Sequence, residues 1–537
     1  MADEWSREER AALAPYFTNL DGPVFALVDL PEVVKGALFA RYSRSPKSLR
    51  RLFLDEFLGP GGLEAAARAP AHAGAGAGRA EQLFERVFVE YGDDSVAQLG
   101  GVHLACEAAS NILTKVLEWG RLMAYLEQST RYVPYDDRPG GRYRYHVPAE
   151  LHGELRERYI VTLDRWFDVY RAWLPKIRAF YEAKFPHDPA ESESVYRLTI
   201  RAKALDTLRG MLPAATTSNV GIYGTGQAYE QLLLRMRAHP LREVRDYADM
   251  MLVELRKVIP AFLKRVDVPE RGGAWSTYLE DTRRETRDVA RRLLGPGPAS
   301  AGRAELAAAD EVTLTDYDPD GEAKVVAAAL YAVSNRSDAE LNAIARRMTA
   351  DERSAVLAAY IGKRLNRRHR PGRAFERTAY RFDVLGDYGA FRDLQRHRLL
   401  TLEWQRLTPR HGYALPDAIA EAGAADDWRS VLAESAELHD AIEAAGAADA
   451  AAYAVSMAYR VRFYMEMNAR EAMHVIELRT APQGHPAYRR ICQAMHRLIG
   501  ERHPAIAAAM TFADHSAVEL ERLEAERAAE RRRAGSA

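Results

Sequence analysis

The feature that most restricts the fold is an ordered repetition: one series of local signals occurs on both sides of a Gly/Pro/Ala-rich stretch, Leu294 to Ala304, near the middle of the chain. Each half begins with a short apolar run read as a strand and followed by a helix. These are Val24 to Asp29 with a helix through Ala40, and Val312 to Tyr317 with a helix through Val333. Each half then has a helix ending in a polar cluster, at Gly120-Arg121 and at Arg396-His397-Arg398. Each later has an apolar helix ending in arginine, Arg237 and Arg479, followed by His239-Pro240 and His485-Pro486. An alanine-rich helical chain also aligns with itself by chance, so the preserved order carries the repeat rather than any one signal. The offset between copies shrinks along the chain, which places extra loops in the first copy, the stretch Pro70 to Gly78 among them. The expected division is a first domain over 1–292, a linker over 293–308 and a second domain over 309–537.

Elsewhere apolar residues recur at helical spacing, with alanine, leucine, arginine and glutamate prominent, and strand-like runs are few and short. The expected class is therefore α+β and helix-rich. Lys plus Arg (75) nearly cancels Asp plus Glu (76), so no whole-molecule field draws the chain to nucleic acid or lipid. Any polyanion site has to be local. The two cysteines, Cys106 and Cys492, lie too far apart in sequence for a zinc or dithiol motif, and no metal site is expected. The charged N-terminus and the lack of an 18-residue apolar run predict a cytoplasmic protein without membrane association. Neither common type of Gly-rich phosphate loop is present, and no Ser-centred hydrolase elbow.

Three segments could carry chemistry. In Glu127-Gln128-Ser129-Thr130-Arg131-Tyr132, the acceptor, hydroxyl and cation at i, i+2 and i+4 share one side if the backbone is extended, and could hold a phosphate; a polar loop after a helix is the plainer alternative. Arg396-His397-Arg398 puts three cationic groups at a helix end, where the macrodipole favours them in any case, or where they grip a polyphosphate or a flavin. Arg470 and His474, at i and i+4, stack on one helix face. The same segment shows Met465, Met467, Met473 and Ile476, most simply core. The basic run from Arg364 to Arg373 lacks aromatic residues for base stacking, which argues against nucleic acid and for a solvated loop or a contribution to a phosphate site. Glu519 to Arg533 alternates in charge and reads as a solvated helix.

Together these segments resemble the flavin-dependent thymidylate synthases, whose signature reads RHRxxSxNExSxRY. The first copy keeps the right-hand part at Glu127, Ser129, Arg131 and Tyr132. The second keeps the left-hand part at Arg396, His397 and Arg398, with Thr401 at the serine position. Gly92-Asp93-Asp94-Ser95 looks like the family's GHxS turn without its histidine. The later NxR motif is matched by Asn468, Arg470, His474 and Leu478-Arg479, and is eroded in the first copy to Gly226, Ala228 and Met236-Arg237. The ARxxLP motif is echoed by Leu208 to Pro213 and is unrecognisable in the second copy.

The resemblance implies tandem duplicated thymidylate synthase-like domains that have lost complementary motifs. Glu127, Ser129, Arg131, Arg209 and Arg396 would bind dUMP or a related pyrimidine nucleotide, and Arg470 would bind and polarise its ring. Arg396, His397, Arg398, Asn468 and His474 would hold FAD. NADPH and methylenetetrahydrofolate would be co-substrates for dTMP synthesis. Because the family shares each site between subunits, a homodimer of this chain would form a pseudo-tetramer. The other reading is a catalytically inactive flavin- or nucleotide-binding or regulatory homologue.

Overall fold

The computed structural model describes residues 5–42, 45–58, 98–129, 131–189, 192–295, 311–523, 526–528 and 530–531. Pro70 to Gly78, Gly92 to Ser95, Thr130 and the linker from 296 onward lie outside the described residues. The chain forms two compact units. The first comprises residues 1–107, 120–127 and 219–296; the second comprises 108–119, 128–218 and 297–537. These units are drawn differently from the two sequence copies, because 108–119 and 128–218 of the first copy gather with the second.

In the first unit, β1 (Gly101–Ser110), β2 (Met123–Glu127) and β3 (Thr217–Thr225) form a sheet in the order β1-β3-β2. β2 and β3 are antiparallel, Met123 opposite Gly224 and Glu127 opposite Val220. β3 runs into helix Gly226–Arg237, whose start is capped by the Thr225 hydroxyl accepting from Ala228 N. That helix buries Tyr229, Leu232, Leu233 and Met236, and its neighbour Arg242–Arg256 buries Val244, Leu252 and Leu255. The expected strand at Val24 to Asp29 is not formed; only Leu27 makes a bridge, to Phe17. Two main-chain bonds, Thr18 N to Ala26 O and Val28 N to Tyr16 O, hold the segment beside that bridge, and side chains add to them. Thr18 Oγ1 accepts from Ala26 N, and Asn19 Oδ1 from Asp21 N and Gly22 N, so the backbone is satisfied locally as a turn.

In the second unit, β4 (Val312–Tyr317), β5 (Ala379–Asp387), β6 (Thr401–Trp404) and β7 (Arg460–Asn468) form an antiparallel sheet in the order β4-β5-β7-β6. The sub-order β5-β7-β6 repeats β1-β3-β2, and β1 and β3 in one sheet, like β5 and β7 in the other, lead directly into a helix. This is a helix-rich α+β fold built twice. Along β5 and β7 alternate side chains are buried: Tyr380, Phe382 and Val384 on one, Val461, Phe463, Met465 and Met467 on the other. Met473 and Ile476 are buried too, so the methionine-rich stripe is core shared between a strand and a helix.

The helices that position the site are α1 (Gly153–Lys184), α2 (Glu193–Leu208), α3 (Tyr388–Leu394), α4 (Ala425–Ala444), α5 (Ala469–Arg479) and α6 (Pro486–Arg502). A main-chain seam also runs through this unit. Ala214 N donates to Val455 O (2.8 Å), Met457 N to Leu212 O (2.9 Å) and Ala458 N to Gly210 O (3.2 Å). It joins the ARxxLP-like segment of the first copy to the same region of the second. No helix among the described residues is long and apolar enough to cross a membrane.

Candidate active site

Two buried carboxylates organise the arginines of the second unit. Just beyond the end of β2, the chain turns rather than staying extended: Ser129 Oγ accepts from Arg131 N (3.2 Å), and Tyr132 N and Val133 N both donate to Ser129 O. The turn sends the Arg131 guanidinium to Asp206 on α2, with Nε 2.8 Å from both carboxylate oxygens and Nη2 at 2.6 Å. Its Nη1 reaches Tyr488 Oη at 3.4 Å. Burial by itself would raise the Asp206 carboxyl, but Arg131, His485 and Arg209 outweigh it and hold the pKa below its ordinary value.

Asp393, near the end of α3, is the second organiser. Arg209 Nη1 lies 3.6 Å from one carboxylate oxygen and Arg479 Nη1 4.0 Å from the other. Burial pushes this carboxyl up as well, yet Arg396, Arg209, Arg479 and Arg131 together hold it far below the carboxylate range. Arg209 is 4% exposed, and its Nη2 has no hydrogen-bond partner among the described residues. It fits where it does because position 389 is glycine: a Cβ there would lie 3.1 Å from both Arg209 Nε and Nη2. Arg209 also lines a cavity of about 960 Å³, with Asp206, His485, Arg460, Tyr181, Trp428 and Met457 among its walls. Arg209 thus combines a buried donor without a partner with a place in the wall of a cavity.

A second cluster adjoins through Arg479. Its Nε donates to His397 Nε2 at 2.8 Å, and Arg370 Nη2 donates to His474 Nδ1 at 2.9 Å. A guanidinium only donates, so each ring is neutral and carries its proton on the remaining nitrogen. Burial lowers both imidazoles, reinforced by the nearby arginines, His397 well below its ordinary value and His474 to about 4. Between them sits Glu471, its Oε1 3.7 Å from His397 Nδ1. His397, Glu471 and His474 fall within reach of a single metal ion. The two guanidiniums oppose a cation there, and they leave protons on the ring nitrogens a metal would need.

Burial raises the Glu471 carboxyl to about 7. The folded state therefore binds a proton that the unfolded chain releases near the ordinary glutamate value of 4.5, so stability falls as pH rises from there to about 7, by about 3 kcal/mol in all. Glu471→Gln is expected to abolish that component. In denaturant titrations the variant should match the parent near pH 5 and exceed it at pH 8; parallel curves would refute the assignment.

The remaining expected residues are placed as follows. Glu127 ends β2 in the other compact unit and is buried. Arg396, His397 and Arg398 do not lie on a helix: α3 ends at Leu394, so the triplet occupies the loop before β6 and its side chains are not fanned by helical geometry. Asn468 caps α5, its Oδ1 accepting from Glu471 N. Arg470 and His474 do share one face of α5 and both engage the loop before β5, but Arg470 is held apart from the Asp393 cluster's hydrogen bonds. Its Nε donates to Pro371 O (2.9 Å) and its Nη1 is 3.6 Å from Glu376.

Two expectations about charged surfaces are corrected. Arg364, in the basic run, is not solvated but forms a buried pair with Glu477, at 2.6 and 2.5 Å. Residues 519–522 are not helical: Glu521 is 8% exposed, accepts from Lys203 Nζ at 2.5 Å and lines the cavity with Val518 and Glu519, whereas Leu523, 526–528 and 530–531 are helical. Sequence reasoning also passed over Asp206 and Asp393. The signal was a shared spacing, Asp206 three residues before Arg209 and Asp393 three before Arg396.

The family model for thymidylate synthase complementing proteins matches the chain twice, over residues 58–261 and 313–505. A UPF0159 protein of Chlamydia muridarum is 37% identical over 526 residues, covering 97% of this chain and 98% of that one. A flavin-dependent thymidylate synthase of a Mycobacterium species is 29% identical over 178 residues, covering 33% of this chain and 66% of that one. Among solved structures, the UMP/dUMP methylase PolB from Streptomyces cacaoi bound with 5-Br dUMP aligns with a TM-score of 0.30 at 19% identity, over 37% of this chain and 93% of that one. With both halves of its length matched by the same model, the chain belongs to the thymidylate synthase complementing protein family, the flavin-dependent thymidylate synthases.

Proposed function

We propose that the chain is a flavin-dependent methyltransferase acting on a pyrimidine nucleotide, dUMP or a close relative, with methylenetetrahydrofolate as one-carbon donor and NADPH as reductant. The observation that supports it is the group of guanidiniums Arg131, Arg209 and Arg479 held by Asp206 and Asp393, with Arg209 and Asp206 lining a cavity of about 960 Å³. Guanidiniums in this arrangement suit the oxygens of a phosphomonoester, each being able to donate to them in pairs. Asp206 and Asp393 fix the guanidiniums before any ligand arrives, so binding does not have to order them.

The residues present fit a flavin. His397 and His474 are neutral rings 5.4 Å apart, and Arg396 and Arg398 flank His397 in a loop without acidic residues. That donor-rich set suits the pyrophosphate of FAD, with Asn468 adding the amide hydrogens left after its oxygen caps α5. When bound, FAD supplies hydride transfer at the pyrimidine. The chain's own residues bind the phosphate through Arg209 and Arg131, keep the imidazoles uncharged and exclude water by burial. Ser129, Glu127 and Arg470 belong to this proposal as nucleotide contacts, Arg470 having to leave Pro371 and Glu376 to reach a ring. A homodimer would supply a second copy of each contact.

The engagement of Arg470 elsewhere favours one competing reading, a homologue that binds nucleotide without turnover. The visible absorbance spectrum of the purified full-length protein tests both. Bound or loadable FAD that is bleached by NADPH, shifts on adding dUMP and supports methylene transfer carries the enzyme reading. A flavin spectrum that responds to dUMP without transfer leaves the binding homologue. A protein that takes up no FAD overturns both.

A further inference from the structure

His485-Pro486 recurs as His239-Pro240, and the two pairs are built the same way. Each histidine turns its Nδ1 back onto the chain: Ala487 N donates to His485 Nδ1 and Leu241 N to His239 Nδ1, both at 3.2 Å. The residue before a proline is held extended, which is the conformation a helix cap needs, and His485 starts α6 at φ −66°, ψ 136°. The cap also fixes the chemistry of the ring. A ring nitrogen that accepts carries no proton, so the His485 imidazole is neutral with its hydrogen on Nε2. Burial, reinforced by Arg209, holds it well below the ordinary histidine pKa and so keeps a second proton off.

His485 lines the same cavity as Arg209 and Asp206. Its ring centroid is 6.2 Å from that of Tyr488, whose hydroxyl accepts from Arg131 Nη1, and the charges that act on it are those of Arg209, Asp206, Arg131 and Asp393. Its Nε2 has no hydrogen-bond partner among the described residues. The start of α6 offers a ligand little by itself: Pro486 has no N–H, Ala487 N is spent on His485 Nδ1, and Arg489 N donates to His485 O at 3.1 Å. What remains beside the guanidiniums is one neutral N–H whose tautomer is already set.

We propose that His485 is a substrate-binding residue whose Nε2–H donates to a phosphate oxygen of the nucleotide, next to Arg209. The assignment rests on the reading of the cavity as the nucleotide site and adds a residue and a role to it. A phosphate dianion only accepts, and a ring locked as a donor matches it. The same lock excludes His485 as a general base, because the nitrogen that the cap leaves over already carries its proton.

Two substitutions in the full chain separate the cap from the donor. In His485→Asn the amide oxygen stands level with Nδ1 and keeps the cap, while nothing reaches as far as Nε2; in His485→Gln the amide nitrogen reaches the Nε2 position and the cap is weakened. Titration calorimetry with dUMP, inorganic phosphate and deoxyuridine is read beside thermal melts. His485→Asn should melt near the parent, bind dUMP and phosphate about 10-fold more weakly and leave deoxyuridine unaffected. His485→Gln should melt lower yet bind dUMP more tightly than His485→Asn. In the parent, nitrogen NMR of labelled histidine should show the His485 proton on Nε2 and a shift of that N–H on adding phosphate. A proton on Nδ1, or an Nε2–H that saturating phosphate does not move, overturns the proposal whatever the variants do. So does a parent that binds dUMP with a His485→Asn that binds it equally well, or that loses dUMP and deoxyuridine alike; the nucleotide reading then stands without His485. A parent that binds none of the three ligands overturns that reading and this assignment together.

Discussion

Asp393→Asn is expected to lower stability more than any other single change at the site. The carboxylate faces Arg209 and Arg479 directly and lies in the field of Arg396 and Arg131, so its loss leaves Arg209 and Arg479 without the carboxylate they face. Breaking a buried ion pair from one side costs about 3–5 kcal/mol, because the remaining charge has neither water nor a partner. Asparagine matches the shape, so the loss reports charge rather than packing. A diagnostic accompanies it: inorganic phosphate, by supplying the missing negative charge, should raise the melting temperature of Asp393→Asn more than that of the parent. A variant that melts within a degree of the parent, or that gains no more from phosphate, would show that the arginines do not depend on this carboxylate.

The largest functional effect is expected from Arg209→Lys. An ammonium retains the charge that Asp393 needs, so the fold should persist, but lysine lacks the planar fork that lets one side chain both face Asp393 and line the cavity. Removing one charge-assisted hydrogen bond worth about 1.5–3 kcal/mol should weaken dUMP binding by about 10- to 100-fold. Titration calorimetry with dUMP and with deoxyuridine separates the causes. The substitution should reduce affinity for the nucleotide and leave the nucleoside almost unaffected. Equal losses for both would place Arg209 away from the phosphate.

Much of the architecture was legible because it rests on periodicity. The core placement of Met465, Met467, Met473 and Ile476 and the one-face pairing of Arg470 with His474 follow from local rules, and the two-fold repetition of features reappears as two sheets of matching order. What stayed hidden depends on where the chain turns. The sequence leaves Ser129 either in an extended triplet or in a polar loop; the structure has the turn, but nothing in the sequence says that it sends Arg131 to Asp206. Arg396 to Arg398 read as a helix end until α3 is seen to stop at Leu394. Arg364 reads as solvated because its partner, Glu477, lies more than a hundred residues away. Arginine is abundant in this chain, and which arginines matter is decided by two aspartates that no cationic motif announces.

The seam between segments 210–215 and 453–458 bears on how such a chain can change over generations. It is written in amides and carbonyls, which every residue but proline offers alike. Substitution on either side therefore leaves the joint legible to its counterpart, and Leu208 to Pro213 can keep an ancestral spelling while the facing segment drifts beyond recognition. Covalent linkage adds a second licence. Two halves carried on one chain are never reshuffled with unaltered siblings, so a loss in one half is always met by the same retained capability in the other. Under those conditions complementary decay is a stable division of labour, inherited as a single unit.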